Sequence, residues 1–243
     1  MSFKMICFLP LGYPTLDDSL ALADMYAAGG CDMIEVGWPT DNAYLDSETV
    51  RSSMATALQN CSDPERYFET IVRIRQKHPD IPLILLVYDH SVVELGEEKF
   101  MGFCRAQGID RLILVGEKDG RIKKEMMRNG LEVTCYVPFH LPDEEVGAAV
   151  DSNGFIYLQA KPAAEVKPGF ETLEACIRFL KEEAAQRDIY CGVGVATSED
   201  VRMVKQAGAD GVFLGSPLLK RISDPPELQR YLHEVKTVCM SGI

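Results

Sequence analysis

The chain has 243 residues, 47% of them apolar, and its 25 basic against 37 acidic side chains leave a formal net charge of -12. That length bounds it to one ordinary domain or two small ones, and roughly 70–75% of the unfolded surface can be buried without a disulfide or metal staple. A pI near 4.8 argues against nucleic acid as a partner, although a local nest of backbone amides can still hold a phosphorylated small molecule. The eight cysteines are spread from Cys7 to Cys239 with no C-x-x-C pair, so redox pairs and metal clusters lack their spacing. Most sit in apolar runs such as Ile6-Cys7-Phe8, the setting of reduced, buried thiols. No apolar stretch approaches the length of a membrane span, and the N-terminus lacks the pattern of a signal peptide. The expectation is a cytoplasmic protein that contacts no membrane.

In chain order, β-rich apolar runs appear at Met5–Leu9, Met33–Val36, Ile81–Tyr88, Leu112–Val115, Val133–Val137, Phe155–Leu158, Ile189–Cys191 and Val212–Leu214. Segments of helical periodicity lie between them, for instance around Ser19–Tyr26 and Glu171–Leu180. Three junctions share one grammar: Gly29-Gly30-Cys31-Asp32, Gly108-Ile109-Asp110 and Gly208-Ala209-Asp210. In each a glycine ends a helix, an Asp turns the chain and a strand begins, which marks short αβ loops. Eight βα units in about 250 residues predict an α/β fold, a (β/α)₈ TIM barrel, as a single domain over residues 1–243. A doubly wound open sheet is the alternative, but Leu11-Gly12-Tyr13-Pro14 after the first strand is no phosphate turn of that type. Pro225-Pro226 predicts the start of a C-terminal helix over Glu227–Val238.

In such a barrel the reacting groups lie at the C-terminal ends of strands. Glu35, in Met33-Ile34-Glu35-Val36-Gly37, is a carboxylate inside an apolar strand and needs either a partner or a raised pKa. A structural ion pair is the plainer alternative. Eleven residues on, Asp46 sits in a long polar loop, where Asp46 or Ser47 serves either as a helix N-cap or in the chemistry. One buried carboxyl and one on a loop suit a division of acid/base labour. Gly192-Val193-Gly194 and Gly215-Ser216-Pro217 follow the last two strands, the usual place for a phosphate cradle, so Gly194, Gly215 and Ser216 are the candidate phosphate residues. His78 and His233 look like surface residues. His90 and His140 follow strands, but a solvated loop position is the commoner outcome. No His/Cys/carboxylate cluster has metal-ligand spacing, and no metal is expected.

These residues resemble the tryptophan synthase alpha chain family. Its pattern is similar to Leu11-Gly12-Tyr13-Pro14, Ile34-Glu35-Val36-Gly37-Trp38-Pro39 with Leu45-Asp46, Ile81–Tyr88, Gly154–Leu158, Gly192-Val193-Gly194-Val195 and Asp210–Ser216, which together span nearly the whole chain. The resemblance implies cleavage of indole-3-glycerol phosphate to indole and glyceraldehyde 3-phosphate, no cofactor on this chain, and a PLP-dependent tryptophan synthase beta chain as partner. It implies that Glu35 is the acid/base, Asp46 the acceptor for the indole N–H, and Tyr157 a neighbour of the reacting centre. Phe8, Leu86 and Tyr88 would line the indole pocket, with Val193 where the family has an aromatic residue. The chain departs from the family in the loop Thr40–Glu48 and in Lys161–Gly169, where Glu165 stands in place of a Thr and two prolines appear. Two other readings are an enzyme on a different phosphorylated molecule and a non-catalytic partner of a beta chain.

Overall fold

Eight parallel strands close on themselves in chain order, and β8 returns to pair with β1. They are β1 (Lys4–Pro10), β2 (Met33–Gly37), β3 (Leu83–Tyr88), β4 (Arg111–Val115), β5 (Glu132–Val137), β6 (Ile156–Gln159), β7 (Ile189–Gly192) and β8 (Gly211–Leu214). The computed structural model describes residues 2–44, 46–116, 119–163, 166–184 and 186–242. The helices are α1 (Leu16–Ala28), α2 (Glu48–Asn60), α3 (Pro64–Lys77), α4 (Asp89–Leu95), α5 (Glu97–Ala106), α6 (Arg121–Arg128), α7 (Asp143–Val150), α8 (Leu173–Glu183), α9 (Ser198–Gln206), α10 (Ser216–Leu219) and α11 (Pro225–Met240). The predicted (β/α)₈ barrel is therefore the fold. Strand three begins two residues later than its apolar run, at Leu83, because Pro82 has no N–H to give to the ladder.

Both faces of each strand are apolar, which hides the period of two in the sequence. The structure restores it. Met5, Cys7 and Leu9 of β1 pack outward under the helices, whereas Ile6 and Phe8 point into the barrel. The same alternation sends Ile84, Leu86 and Tyr88 inward and Leu83, Leu85 and Val87 outward. Glu35 shares register with Phe8 on one side and Ile84 on the other, so it occupies an inward position among apolar neighbours.

The repeated Gly-x-Asp junctions do more than turn the chain. Asp32 Oδ2 accepts the amide of Met5 at 2.8 Å, and Asp210 Oδ2 accepts that of Ile189 at 2.9 Å. Each carboxylate thus ties the start of the neighbouring strand, fixing the order in which the barrel closes. Lys236 and Lys181 neutralise the two Asp side chains.

Candidate active site

The C-terminal ends of the strands open into a cavity of about 780 Å³. Its wall includes Glu35, Asp46, Tyr157, Phe8, Leu86, Tyr88, Val193, Gly194, Gly215 and Ser216. All ten candidate residues of the sequence analysis are thus gathered around one space, although they come from six of the eight βα units.

Glu35 is 3% exposed. Among the described residues nothing hydrogen-bonds to its carboxyl or pairs with it, and burial, followed by the nearby charge of Asp46, pushes its pKa up to about 8. The structural ion pair weighed above is therefore not formed, and the group carries a proton at neutral pH. Such a carboxyl is a proton donor aimed at whatever fills the cavity.

Asp46 is placed by the loop between β2 and α2. Ser47, not Asp46, is the N-cap of α2, its hydroxyl accepting the amide of Val50. That leaves the Asp46 side chain to face the cavity, where the Tyr88 hydroxyl donates to Oδ2 at 2.7 Å. Burial raises the Asp46 pKa, while the Tyr88 hydrogen bond and the charge of Arg51 pull it back down. The pair of carboxyls is split as acid/base chemistry needs: one without partners, one held by a donor.

Tyr157 stacks on Phe213 with ring centroids 4.4 Å apart and meets the edge of Tyr136 at 5.5 Å. Its close approach depends on Gly192, where a Cβ would lie 2.6 Å from the Tyr157 ring. Burial holds the Tyr157 phenol well above the ordinary tyrosine range, so it is a neutral wall with a hydroxyl. Phe8, Leu86, Ile113 and Val115 complete an apolar lining of the kind that accepts a flat aromatic ring.

At the other end two turns converge. Among the described residues, the loop hydrogen bonds leave the amides of Gly194, Val195, Gly215 and Ser216 without a carbonyl partner. A Cβ built on Gly215 would meet nothing within 4 Å, because that direction is open cavity. Unpaired amides around an open space are an anion nest. Lys220 and Arg221 also line the cavity, and the sequence analysis missed both. Their signal was present: two cations four and five residues after Ser216, just past the short helix α10.

Other expectations are corrected. His78 is not a surface residue, since its ring is 14% exposed and Nε2 lies 2.8 Å from Asp24. Neither His90 nor His140 lines the cavity. Lys161 and Lys167, the cations of the segment that departs from the family, are both paired away from Asp46. Lys161 Nζ is 2.5 Å from Asp200 Oδ1, and Lys167 Nζ is 3.0 Å from Asp143 Oδ1. Glu165 lies outside the described residues. No group of three or more potential metal ligands occurs among the described residues, and no helix there is long and apolar enough to cross a membrane.

The comparisons with known proteins agree with this geometry. A model of the family described as Tryptophan synthase alpha chain matches residues 2–241. The Tryptophan synthase alpha chain of Aeromonas hydrophila is 30% identical over 222 residues, 88% of this chain and 82% of that protein. Among solved structures, a chain from Aquifex aeolicus superposes with a TM-score of 0.85 at 24% identity, covering 98% of this chain and 93% of that one. The Pyrococcus furiosus structure whose title names the tryptophan synthase a2b2 complex reaches 0.83 at 22% identity, covering 98% and 100%. A match along almost the whole length, on a barrel whose carboxyls and open turns meet in one cavity, settles the lineage: the chain belongs to the tryptophan synthase alpha chain family.

Proposed function

We propose that this chain cleaves indole-3-glycerol phosphate to indole and glyceraldehyde 3-phosphate, with Glu35 as the acid/base. Breaking the carbon–carbon bond needs a proton on the indole carbon that leaves and removal of a proton from the glycerol hydroxyl that becomes the aldehyde. A carboxyl that is protonated at rest gives the first proton, and as carboxylate it takes the second. Asp46 accepts the indole N–H as positive charge builds in the ring, and its own charge is most effective once the bound ring displaces water from the cavity. Tyr157, Phe8, Leu86, Tyr88 and Val193 surround the indole, and the amides of Gly194, Gly215 and Ser216 take the phosphate, with Lys220 and Arg221 adding positive charge nearby.

The observation that carries this reading is Glu35, a buried carboxyl with pKa near 8 and no partner among the described residues, in a cavity whose far end offers unpaired amides. A purely structural Glu at that position would have found a cation or a donor. The test is indole release by the purified protein, compared with Glu35→Gln. Equal release by both would remove the acid/base role.

The partner of this chain is a PLP-dependent tryptophan synthase beta chain, which receives the indole. Family membership supports this, as does the likeness to a chain from an a2b2 complex. Co-elution with a beta chain, and a change in the rate of indole release on mixing, test it.

A further inference from the structure

The loop from β2 to α2 departs from the pattern of the family it resembles, and it carries Asp46. In the structure it is tied to the end of β3 at three places. Asp46 takes the Tyr88 hydroxyl at 2.7 Å, and Tyr44 meets the edge of the Tyr88 ring at 5.6 Å. The third tie lies outside the cavity, where Thr40 Oγ1 and His90 Nε2 are 2.7 Å apart. Thr40 is 6% exposed and the His90 side chain 28%, so the bond is partly buried.

The bond belongs to an ordered chain. Asp89 Oδ1 accepts the backbone amide of His90 at 2.8 Å, and His90 Nδ1 lies 3.5 Å from the same oxygen. A proton on Nδ1 faces that carboxylate, which makes Nε2 the acceptor and the Thr40 hydroxyl the donor. The remaining lone pair of Thr40 Oγ1 takes the amide of Asn42 at 3.2 Å. The His90 ring also packs against Tyr88, with centroids 5.4 Å apart. One histidine therefore touches both the residue that starts the loop and the tyrosine that holds its end.

We propose that His90 and Thr40 are positioning residues that set Asp46 for the indole N–H. Neither touches the substrate cavity. Five residues lie between Thr40 and Asp46, and Ser47 then caps α2, so the loop is held at the Thr40–His90 bond on one side and by a helix N-cap on the other. Releasing the first hold lets Asp46 move relative to Tyr88 and to the indole. The proposal rests on the reading of Asp46 as the N–H acceptor, and the experiment separates the two.

The probes are 3-(indol-3-yl)propyl phosphate and its N-methyl counterpart, which lacks the N–H, titrated by calorimetry against the full chain. The wild type should prefer the N–H probe. If it binds both equally, the Asp46 reading itself fails. Thr40→Val removes the hydroxyl at similar volume and should weaken the N–H probe about tenfold, one charged hydrogen bond's share, with the N-methyl probe within twofold. Thr40→Ser should restore the preference. His90→Leu, a change on a different element, should repeat the Thr40→Val result and serves where that variant does not fold. Preference retained in Thr40→Val or His90→Leu, or equal weakening of both probes, would overturn the positioning role.

Discussion

Tyr88 donates its hydroxyl to Asp46 Oδ2 at 2.7 Å, so the acceptor carboxyl is stabilised in its charged form at the point where burial opposes that charge. Glu35, which lines the same cavity, has no such donor among the described residues and keeps its proton up to about pH 8. The productive state thus has Glu35 protonated and Asp46 ionised. kcat/KM for indole release should be bell-shaped: it rises as Asp46 loses its proton and falls as Glu35 loses its own near pH 8. Tyr88→Phe removes the hydrogen bond that lowers the Asp46 pKa. The acidic limb should then move to higher pH, and kcat/KM should drop roughly 10–100-fold. An unchanged acidic limb in Tyr88→Phe would show that Asp46 does not titrate in the catalytic cycle.

Glu35→Gln keeps shape and removes the proton shuttle, so kcat should fall to background while the fold persists. Its stability should also change in a pH-dependent way. The native Glu35 holds its proton from about pH 4.3, the unfolded value, up to about 8. The native state therefore binds more protons than the unfolded state across that window, and stability from this group is full below it and is lost as pH rises through it. At pH 9 the wild type should be less stable than Glu35→Gln by on the order of a few kcal/mol, and at pH 5 the two should melt alike. Thermal melts at both pH values check this, and a constant difference in Tm would contradict the raised pKa.

The sequence made the barrel legible because seven of the eight apolar runs end at a Gly, Pro or Asp and eight of them fit the length. That ten candidate residues line one cavity was legible in two ways: a carboxyl within an apolar strand, such as Glu35, and glycines at turns, such as Gly194 and Gly215, stand out against their surroundings, whereas Phe8, Leu86, Tyr88, Tyr157 and Val193 were reached only through the family resemblance. What could not be read was pairing between loops. His90 had the signal of an ordinary loop histidine, and its bond to Thr40 exists only because β2 and β3 are neighbours in register. The choice between Asp46 and Ser47 as N-cap was likewise open until the backbone fixed which side chain points back at α2.

Gly215→Val should weaken the phosphate end alone. The new side chain would enter the open space in front of the Gly215 and Ser216 amides, where the anion has to approach. Affinity for a phosphate-bearing indole should fall by tenfold or more, whereas free indole should bind within twofold of the wild type. Both are measurable by titration, and equal loss of the two ligands would place the damage in the aromatic pocket.

Val193 sits in the left-handed region with φ of 53°, an uncommon conformation for a β-branched residue. It lies between Gly192 and Gly194 at the cavity mouth and is 49% exposed. Val193→Gly should stabilise the protein by about 1 kcal/mol, as strain is relieved against the greater freedom of the unfolded chain. Its affinity for indole ligands should fall modestly, because the apolar cover is gone. A denaturant melt in which Val193→Gly is less stable than wild type would show that the turn is held without strain.

The segment from Lys161 to Gly169 is anchored at both ends. Lys161 reaches Asp200 at 2.5 Å, and Asp200 is itself fixed by the amides of Ala196 and Thr197 at 2.9 and 3.1 Å. Lys167 reaches Asp143 at 3.0 Å and the carbonyl of Leu141. Pro162 restricts the backbone between these anchors, and Pro168 restricts it just after the second. The family resemblance implies that this segment closes over Asp46 to exclude water; such a shift works against both anchors and against Pro162 and Pro168, so closure on the isolated chain should be unfavourable and indole release slow. A docked beta chain supplies binding energy that can shift this equilibrium toward the closed form. Asp200→Asn keeps the two amide bonds and weakens the hold on Lys161, so it should raise the rate of the isolated chain several-fold and reduce the activation by a beta chain. Steady-state indole release with and without the partner measures both, with protease sensitivity of residues 161–169 followed in parallel. Fast turnover by the isolated wild type, with that segment already protected, would show that closure does not limit the reaction.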